Sequence, residues 1–600
     1  MASRLQRWAL AAACALFVAV PAAHAEKVLR YAFQVAETGF DPPQLSDLYS
    51  RIVTGHIFES LYTYDYLARP AKVVPQLADG MPVVSADFRT WTVKLRHGIY
   101  FADDPAFGGR KREVVAQDFV YTYKRFFDPR NKSPSLSTLQ EEKILGLDAL
   151  NKRAQKEGRF DYDSEIEGLR ALDRYTIQFK LADPKPRFIY NLAGSDLVGA
   201  VAREVVEKYG DAIMEHPVGT GPFKLHAWRR SSEITLVRNP TYREVYFEGE
   251  PPAGDASSQA IAKMLRGKRL PLIDKVIISI IDEPQPRWLA FLNGEHDFME
   301  RLPQNFATHA IPNNKLAPNL AKRGIHMERV QLSDITMIMF NMDNAVVGGY
   351  TPEKVALRRA VALATNNEEE VRLPRRGQAL VAQGYVMPNT KSWDPNFRSE
   401  MGTFDRAKAT ALLDMFGYVD KDGDGWRDLP DGSPLVLQYD TLARADYREL
   451  DEVLKKNLDA VGIRINMRVG KWPEQLRAAR AGKLMMWSVG LQASTPDSAQ
   501  VLDRGYSGSV GQGNLARFRN AKFDSLYEKQ GLMPDGPERD KVIRDAERIL
   551  IAYMPYKTRV HRIGTDLMQP WLVGYKRHPA SNDFWQFVDI DESKLPHAKQ

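Results

Sequence analysis

One cysteine in 600 residues is the sharpest shortage in this chain. It is Cys14, inside an apolar N-terminal run, so beyond that run there is no disulfide, no thiolate metal site and no cysteine nucleophile. The 11 histidines are scattered, and none falls into a zinc-ligand spacing. H-E-x-x-H, G-x-S-x-G, a P-loop and a complete G-x-G-x-x-G are all missing. Gly219-Thr220-Gly221 lacks the third glycine and precedes a strand rather than a helix. After the N-terminal run, no segment reaches the roughly 18 apolar residues of a membrane helix. The net charge of +7 is small for this length, and Arg372, Arg375 and Arg376 form the densest basic cluster. A nucleic-acid surface is therefore not expected.

The N-terminus reads as an export signal. Arg4 and Arg7 form a basic region, Trp8 to Val20 an apolar one, and Ala23-His24-Ala25 an A-x-A cleavage site. The expectation is a Sec-type signal peptide over residues 1–25, with Glu26 first in a mature periplasmic protein. Ala11-Ala12-Ala13-Cys14 loosely resembles a lipobox, which leaves a lipoprotein as the alternative. Cleavage there would keep a stub of the apolar run.

With 44% hydrophobic and 26% charged residues, the remainder can build more than one core. Val28–Val35 reads as a first strand, Ala36–Pro43 as a turn-rich loop and Asp47–Tyr62 as a helix. Thr38, Gly39 and Phe40 become candidate ligand contacts, because a loop between a first strand and a helix often faces ligand in α/β proteins. Gln117–Phe127 has helical spacing, with Phe119, Val120 and Tyr123 inward. Lys275–Ile281 reads as a buried strand. Thr351-Pro352 opens a helix, and Gly417 and Gly462 stop two more. Pro217–Tyr242 reads as a glycine-rich loop and a hairpin, with Phe223, Leu225 and Ala227 alternating against polar neighbours. Strands alternating with helices give an α/β class.

Several segments together resemble the family 5 extracellular solute-binding proteins, the receptors of ABC importers for dipeptides, oligopeptides and nickel. Trp91–Phe101 is similar to that family's "LR-x-G-x-x-F" strand. Pro217–Tyr242 is similar to "P-V-G-T-G-P-Y/F" followed by "I/L-x-L-x-R-N-x-x-Y". Arg287–Met299 resembles "R-x-x-x-F/L-x-x-G-E-x-D". Lys354–Leu363 and Asp405–Val419 resemble two of its helices. The resemblance implies a two-lobed periplasmic binding protein fold with mixed sheets flanked by helices. It implies a discontinuous domain I at 26–66, 200–335 and 558–600, an inserted domain II at 67–199 and a domain III at 336–557. Hinges are expected near Asp334–Met337 and Pro555–Thr558. The implied partners are a peptide or other small solute and the membrane subunits of an ABC importer. No enzyme activity, cofactor or metal is implied, and a monomer is expected.

In peptide-binding members of that family, a domain III aspartate pairs with the peptide amine, in a segment like "W-x-x-D-x-x-D-P-D". Here the segment is Met486–Asp497, and the acid's place falls near Gly490 and Leu491. A buried ammonium needs a counter-charge. Either another acid supplies it, or the ligand has no free α-amine there; the second is the preferred expectation. Trp487, Ser488, Gly490 and Gln492 are the ligand candidates of this segment, with a core position as the other reading of Trp487. In Asp420–Asp431, residues Asp420, Asp422, Asp424, Gly425 and Asp431 match EF-hand loop positions. Position 12 is Asp rather than Glu and a strand follows, so a solvated turn is expected rather than a calcium site. A secreted hydrolase is the alternative function, with no catalytic constellation to support it.

Overall fold

The computed structural model describes residues 26–45 and 47–596, so the expected signal peptide lies outside the described residues. Three sheets organise the chain, each with its own apolar core. In the first, Val28–Phe33 lies centrally and runs parallel to Lys275–Ile280 and to Phe298–Met299. Glu233–Arg238 and Phe223–Arg229 extend it on one side, and Val560–Met568 and His326–Gln331 on the other. Alternate residues of the central strand, Leu29, Tyr31 and Phe33, face a core that includes Ile52, Val53 and Ile57 of the helix Leu48–Ile57. Trp585 completes it, stacked on His56 at 3.7 Å and bonded to the Tyr31 hydroxyl at 3.1 Å. Lys275–Ile280 is not buried on both faces. Val276 and Ile278 are fully buried while Ile277 is only half-buried, the alternation of a strand with one covered face.

The second sheet joins Val83–Val84, Thr90–Lys94, Thr176–Lys180 and Leu169–Asp173, all antiparallel. The helix Ala116–Phe127 covers it with Phe119, Val120 and Tyr123, the residues its spacing points inward. The third sheet has the order Arg464–Gly470, Val436–Leu442, Met486–Gln492, Asp334–Phe340, Tyr556–Thr558. Its helices include Pro352–Ala364, Arg406–Met415 and Ala445–Asp459. Among the described residues, no helix is long and apolar enough to cross a membrane.

The chain steps directly from a strand of the first sheet to one of the third at Leu332–Ser333 and back at Arg559; between them the short strand Ala379–Val381 also pairs with Val560–Arg562 of the first sheet. The expected crossings at Asp334–Met337 and Pro555–Thr558 lie just inside the third sheet, where their residues pair as strands. Both crossings are pinned. Asp334 accepts from the Arg562 N–H at 2.8 Å and from its Nε at 2.5 Å, and Arg559 N–H donates to the Thr336 carbonyl at 2.8 Å.

Two details of the hairpin depart from a plain alternation. A bulge between Leu225 and Ala227 shifts the register, so Ala227 turns outward and Trp228 turns in against Phe40, 4.7 Å away. The helix expected to reach Tyr62 ends at Ile57, whose carbonyl takes the Gly221 N–H at 2.8 Å. This contact explains the two glycines. A Cβ on Gly219 would stand 2.1 Å from the Ile57 oxygen, and one on Gly221 2.6 Å from the His56 oxygen. Gly219→Ala is therefore expected to destabilise by about 1–3 kcal/mol, the cost of forcing backbone apart in a packed region. Thermal unfolding checks this, and an unchanged midpoint would mean the loop can yield.

Candidate functional site

A cavity of about 730 Å³ lies where the three units meet. That volume is in the range of small-molecule and short-peptide sites. The first unit contributes Arg51, the crossing residues Leu332 and Ser333, and the segment 577–583. The second contributes the turn around Asn191 and Asp196, and the third contributes Asn389, Gln492 and residues 493–495. A second hollow of about 560 Å³ shares Arg69, Asn389 and Pro579 with it and runs out to Lys391 and Asp535.

Local structure aims each group. Asp47 caps the helix Leu48–Ile57 by accepting the Ser50 N–H at 2.7 Å, and the first turn carries Arg51 into the cleft. There its Nε meets Asp196 at 2.5 Å. Arg577 is spent on Asp566 and Glu300. Arg69 donates only to carbonyl oxygens, those of Tyr66, Ala68 and Arg577. Asp583 packs against the helix backbone, since a Cβ on Gly55 would lie 2.5 Å from its Oδ1. Its carboxyl is pushed up to about 7, mainly by burial and then by the Asp196 charge, with Ser581 and Arg51 opposing.

The second and third units also touch directly. Arg187 donates to the carbonyls of Met533 at 2.7 Å, Gly531 at 2.9 Å and Gln530 at 3.3 Å. Those oxygens lie at the C-terminal end of the helix Ala521–Leu532, where a cation is favoured. The same guanidinium lies 3.3 Å from Asp497 and 3.7 Å from Asp535.

The sequence candidates scatter across this geometry. Strand periodicity puts Ser488, Gly490 and Gln492 on one face of Met486–Gln492 and Trp487 on the other. Gln492 lines the cavity. Ser488 Oγ accepts from Arg559 Nη1 at 3.2 Å, and Gly490 is exposed between them. Trp487 is 1% exposed, bonded through Nε1 to Gln475 at 3.0 Å, and sits in the third core. Phe40 is buried in the first core, and Gly39 lies under Met214, whose Cε would be 2.3 Å from a Cβ there. Thr38 bonds Asp47 at 2.6 Å. None of these three lines the cavity. Arg51, Asp196, His578 and Asp583 were missed by the sequence reading. They stand in unremarkable segments that carry no motif; Ala580-Ser581-Asn582 ahead of Asp583 is a short turn with no other charge.

In the aspartate-rich loop, Asp420, Asp422 and Asp428 bring ligand oxygens within 4.8 Å of one another. Asp424 instead pairs with Arg464 at 2.7 Å, and Asp431 accepts from the Ser433 hydroxyl at 2.6 Å. Of the EF-hand acids only Asp420 and Asp422 are assembled, and Asp428, outside that pattern, is the third. Backbone N–H groups of Gly423 and Gly425 occupy both Asp420 oxygens, as in a self-bonded turn.

The family model for bacterial extracellular solute-binding proteins, family 5, matches residues 72–513. The di/tripeptide-binding protein 2 of Pseudomonas aeruginosa (strain UCBPP-PA14) is 25% identical over 94% of this chain and 95% of its own length. Heme-binding protein A of Haemophilus influenzae is 23% identical over 86% of this chain and 84% of its own. The DppA periplasmic binding protein of Helicobacter pylori, solved with the peptide STSA, superposes with a TM-score of 0.71 at 21% identity, covering 94% of this chain and 99% of that one. The last likeness carries the two-lobed fold, with its mixed sheets and flanking helices. The family is one of receptors rather than enzymes, which favours the binding function over the hydrolase alternative. This chain belongs to the bacterial extracellular solute-binding proteins of family 5.

Proposed function

We propose that this protein captures a peptide-like or other small organic solute in the cleft and delivers it to the membrane subunits of an ABC importer. It does so as a monomer in the periplasm after removal of residues 1–25. The observation that carries this reading is the cavity of about 730 Å³ walled by all three units beside the two crossings. Rotation about Leu332–Ser333 and Arg559 would open and close it, the hinge motion such receptors use. The domains are then 26–66, 200–335 and 558–600 for the first, 67–199 for the second and 336–557 for the third, adjusted by two residues at each crossing. Gln492 lines the cleft, and Ser488 and Gly490 follow it on the same face of the strand toward the Arg559 crossing. The names of the relatives support peptides first and leave room for a larger ring such as heme.

A thermal-shift screen tests the proposal. Di- and tripeptides, modified peptides, heme and nickel complexes are added to the purified protein. A true solute at a hundred times its Kd is expected to stabilise by about 2.7 kcal/mol. If nothing raises the midpoint and nothing co-purifies, the receptor reading is lost.

A further inference from the structure

We propose that the cleft binds the ammonium group of its solute at Asp583, on the first lobe, with the His578 Nε2–H donating to a solute oxygen beside it. This rests on the receptor reading above and narrows its substrate class to amine-bearing solutes. It also reverses the preference drawn from the sequence, that an amine is not accommodated.

The argument is one of unpaired groups facing one cavity. Among the charged residues lining it, Arg51 is matched to Asp196, Arg577 to Asp566 and Glu300, and Arg69 donates to carbonyl oxygens. Asp583 lines the same cavity, and no ion pair to it is present among the described residues. Asp196 and Asp583 together bring two negative charges against the single guanidinium of Arg51; Asp47 is bonded to the helix N-terminus and to Thr38. Arg69, the remaining cation of the wall, lies near His578 and is not among the groups that act on Asp583, so the corner around Asp583 is short of one positive charge. An ammonium entering there would be stabilised by both carboxylates in a poorly solvated site.

His578 is the second, independent observation. It lines the cavity and is 8% exposed. Its Nδ1 accepts the Ala580 N–H at 3.1 Å, so the neutral ring carries its hydrogen on Nε2. Nε2 is buried without a partner. Burial, and then Arg69 nearby, hold this ring well below its usual pKa, so it stays a neutral donor. A buried donor without an acceptor is costly, and a solute oxygen would satisfy it. Asp583 and His578 lie five residues apart in one segment of the cavity wall, and an ammonium with an oxygen acceptor is what the N-terminal residue of a peptide supplies.

Trialanine and N-acetyl-trialanine are the probes, titrated calorimetrically into the wild type and Asp583→Asn. The free amine is expected to bind the wild type at least about 10-fold more tightly, about 1.4 kcal/mol. Asp583→Asn is expected to bind the two within about twofold, with the acetylated peptide unaffected. Equal binding by the wild type, or a preference kept by Asp583→Asn, overturns the proposal. If neither peptide binds, native mass spectrometry of protein from the periplasm decides. A co-purified solute with a cationic group, lost from Asp583→Asn, supports the subsite, and one without such a group, or retained, overturns it. No solute at all overturns the receptor reading, and the subsite with it. Proton release gives a measurement on the wild type alone. The Asp583 carboxyl, faced by Asp196, Arg51 and Ser581, is partly protonated near pH 7. Trialanine binding measured in two buffers of different ionisation enthalpy is expected to release protons; uptake or no exchange overturns the proposal. Asp583→Asn should fold, because the folded state holds this proton more tightly than the unfolded chain. The carboxyl therefore costs stability as pH rises from about 4 toward 7, and the amide does not.

Discussion

Replacing Glu370 with glutamine is expected to remove about 3–5 kcal/mol of stability, the cost of stranding buried charge. Glu370 is 2% exposed on the short helix Asn367–Arg372. Its two oxygens are divided: Oε1 accepts from Arg375 Nε and Oε2 from Arg559 Nε, each at 2.7 Å. Both arginines are buried. Take away the one carboxylate and two guanidinium groups remain in the interior, with Lys557 nearby already pushed down to about 7, chiefly by burial. Burial would raise the Glu370 pKa, but Arg559 and then Arg375 outweigh it and hold the carboxyl below its usual range. The sign follows. The stabilisation is present above the ordinary carboxylate pKa of about 4.3 and is lost as pH falls through the lower folded value. Calorimetric unfolding checks the size of the effect, and a loss under about 1 kcal/mol would mean water or a neighbouring acid rescues the arginines. Replacing all three residues by apolar side chains of similar volume is expected to recover much of the loss. Arg559 is also a crossing residue that touches Ser488, so Glu370→Gln should loosen one hinge as it weakens the fold.

The second large effect concerns binding rather than stability. Arg187→Ala is expected to weaken solute affinity by about 10- to 100-fold, or about 1.4–2.7 kcal/mol. Arg187 belongs to the second unit, and its five close acceptors belong to the third. Those acceptors are held in place: Arg539 pairs with Asp497 at 2.6 Å and with Asp535 at 3.0 Å. Contacts of this kind exist only while the lobes are together, so they favour the closed state directly. A bound solute's apparent affinity scales with the closed population. Lys391 adds to the same seam, paired with Asp535 and 5.7 Å from the centre of the Tyr190 ring. Small-angle scattering should show a larger radius for Arg187→Ala without solute, and calorimetry should show the weaker binding. An unchanged radius together with unchanged affinity would remove Arg187 from any role in closure. Arg187→Lys should recover part of the affinity, since a single ammonium cannot span three carbonyls and two carboxylates.

The helices and strands were legible where periodicity is local and strong. Phe119, Val120 and Tyr123 face inward because their spacing allows nothing else once the helix forms. Gly417 and Gly462 end their helices at φ near +79° and +75°, where glycine is favoured. Ala227 was misread because a bulge moves one residue out of register, and nothing in the residues between Leu225 and Ala227 announces it. The helix after Asp47 was drawn too long because its end is set by Gly221, more than 160 residues away in the chain. The loop Thr38–Phe40 has the composition of a ligand loop, yet Phe40 finds Trp228 and is buried.

The sequence by itself determined the family, the α/β character and the two glycines of the Gly219–Gly221 turn, because motifs, periodicity and backbone demands are written within a few residues of each other. Only the tertiary structure decided where the cleft lies and what charges it. Arg51, Asp196, Asn389, Gln492 and Asp583 meet around one cavity from five distant parts of the chain. Whether a carboxylate is paired or left facing the solute depends on which cations reach it. That is a property of distance and burial, and neither is written in the order of residues.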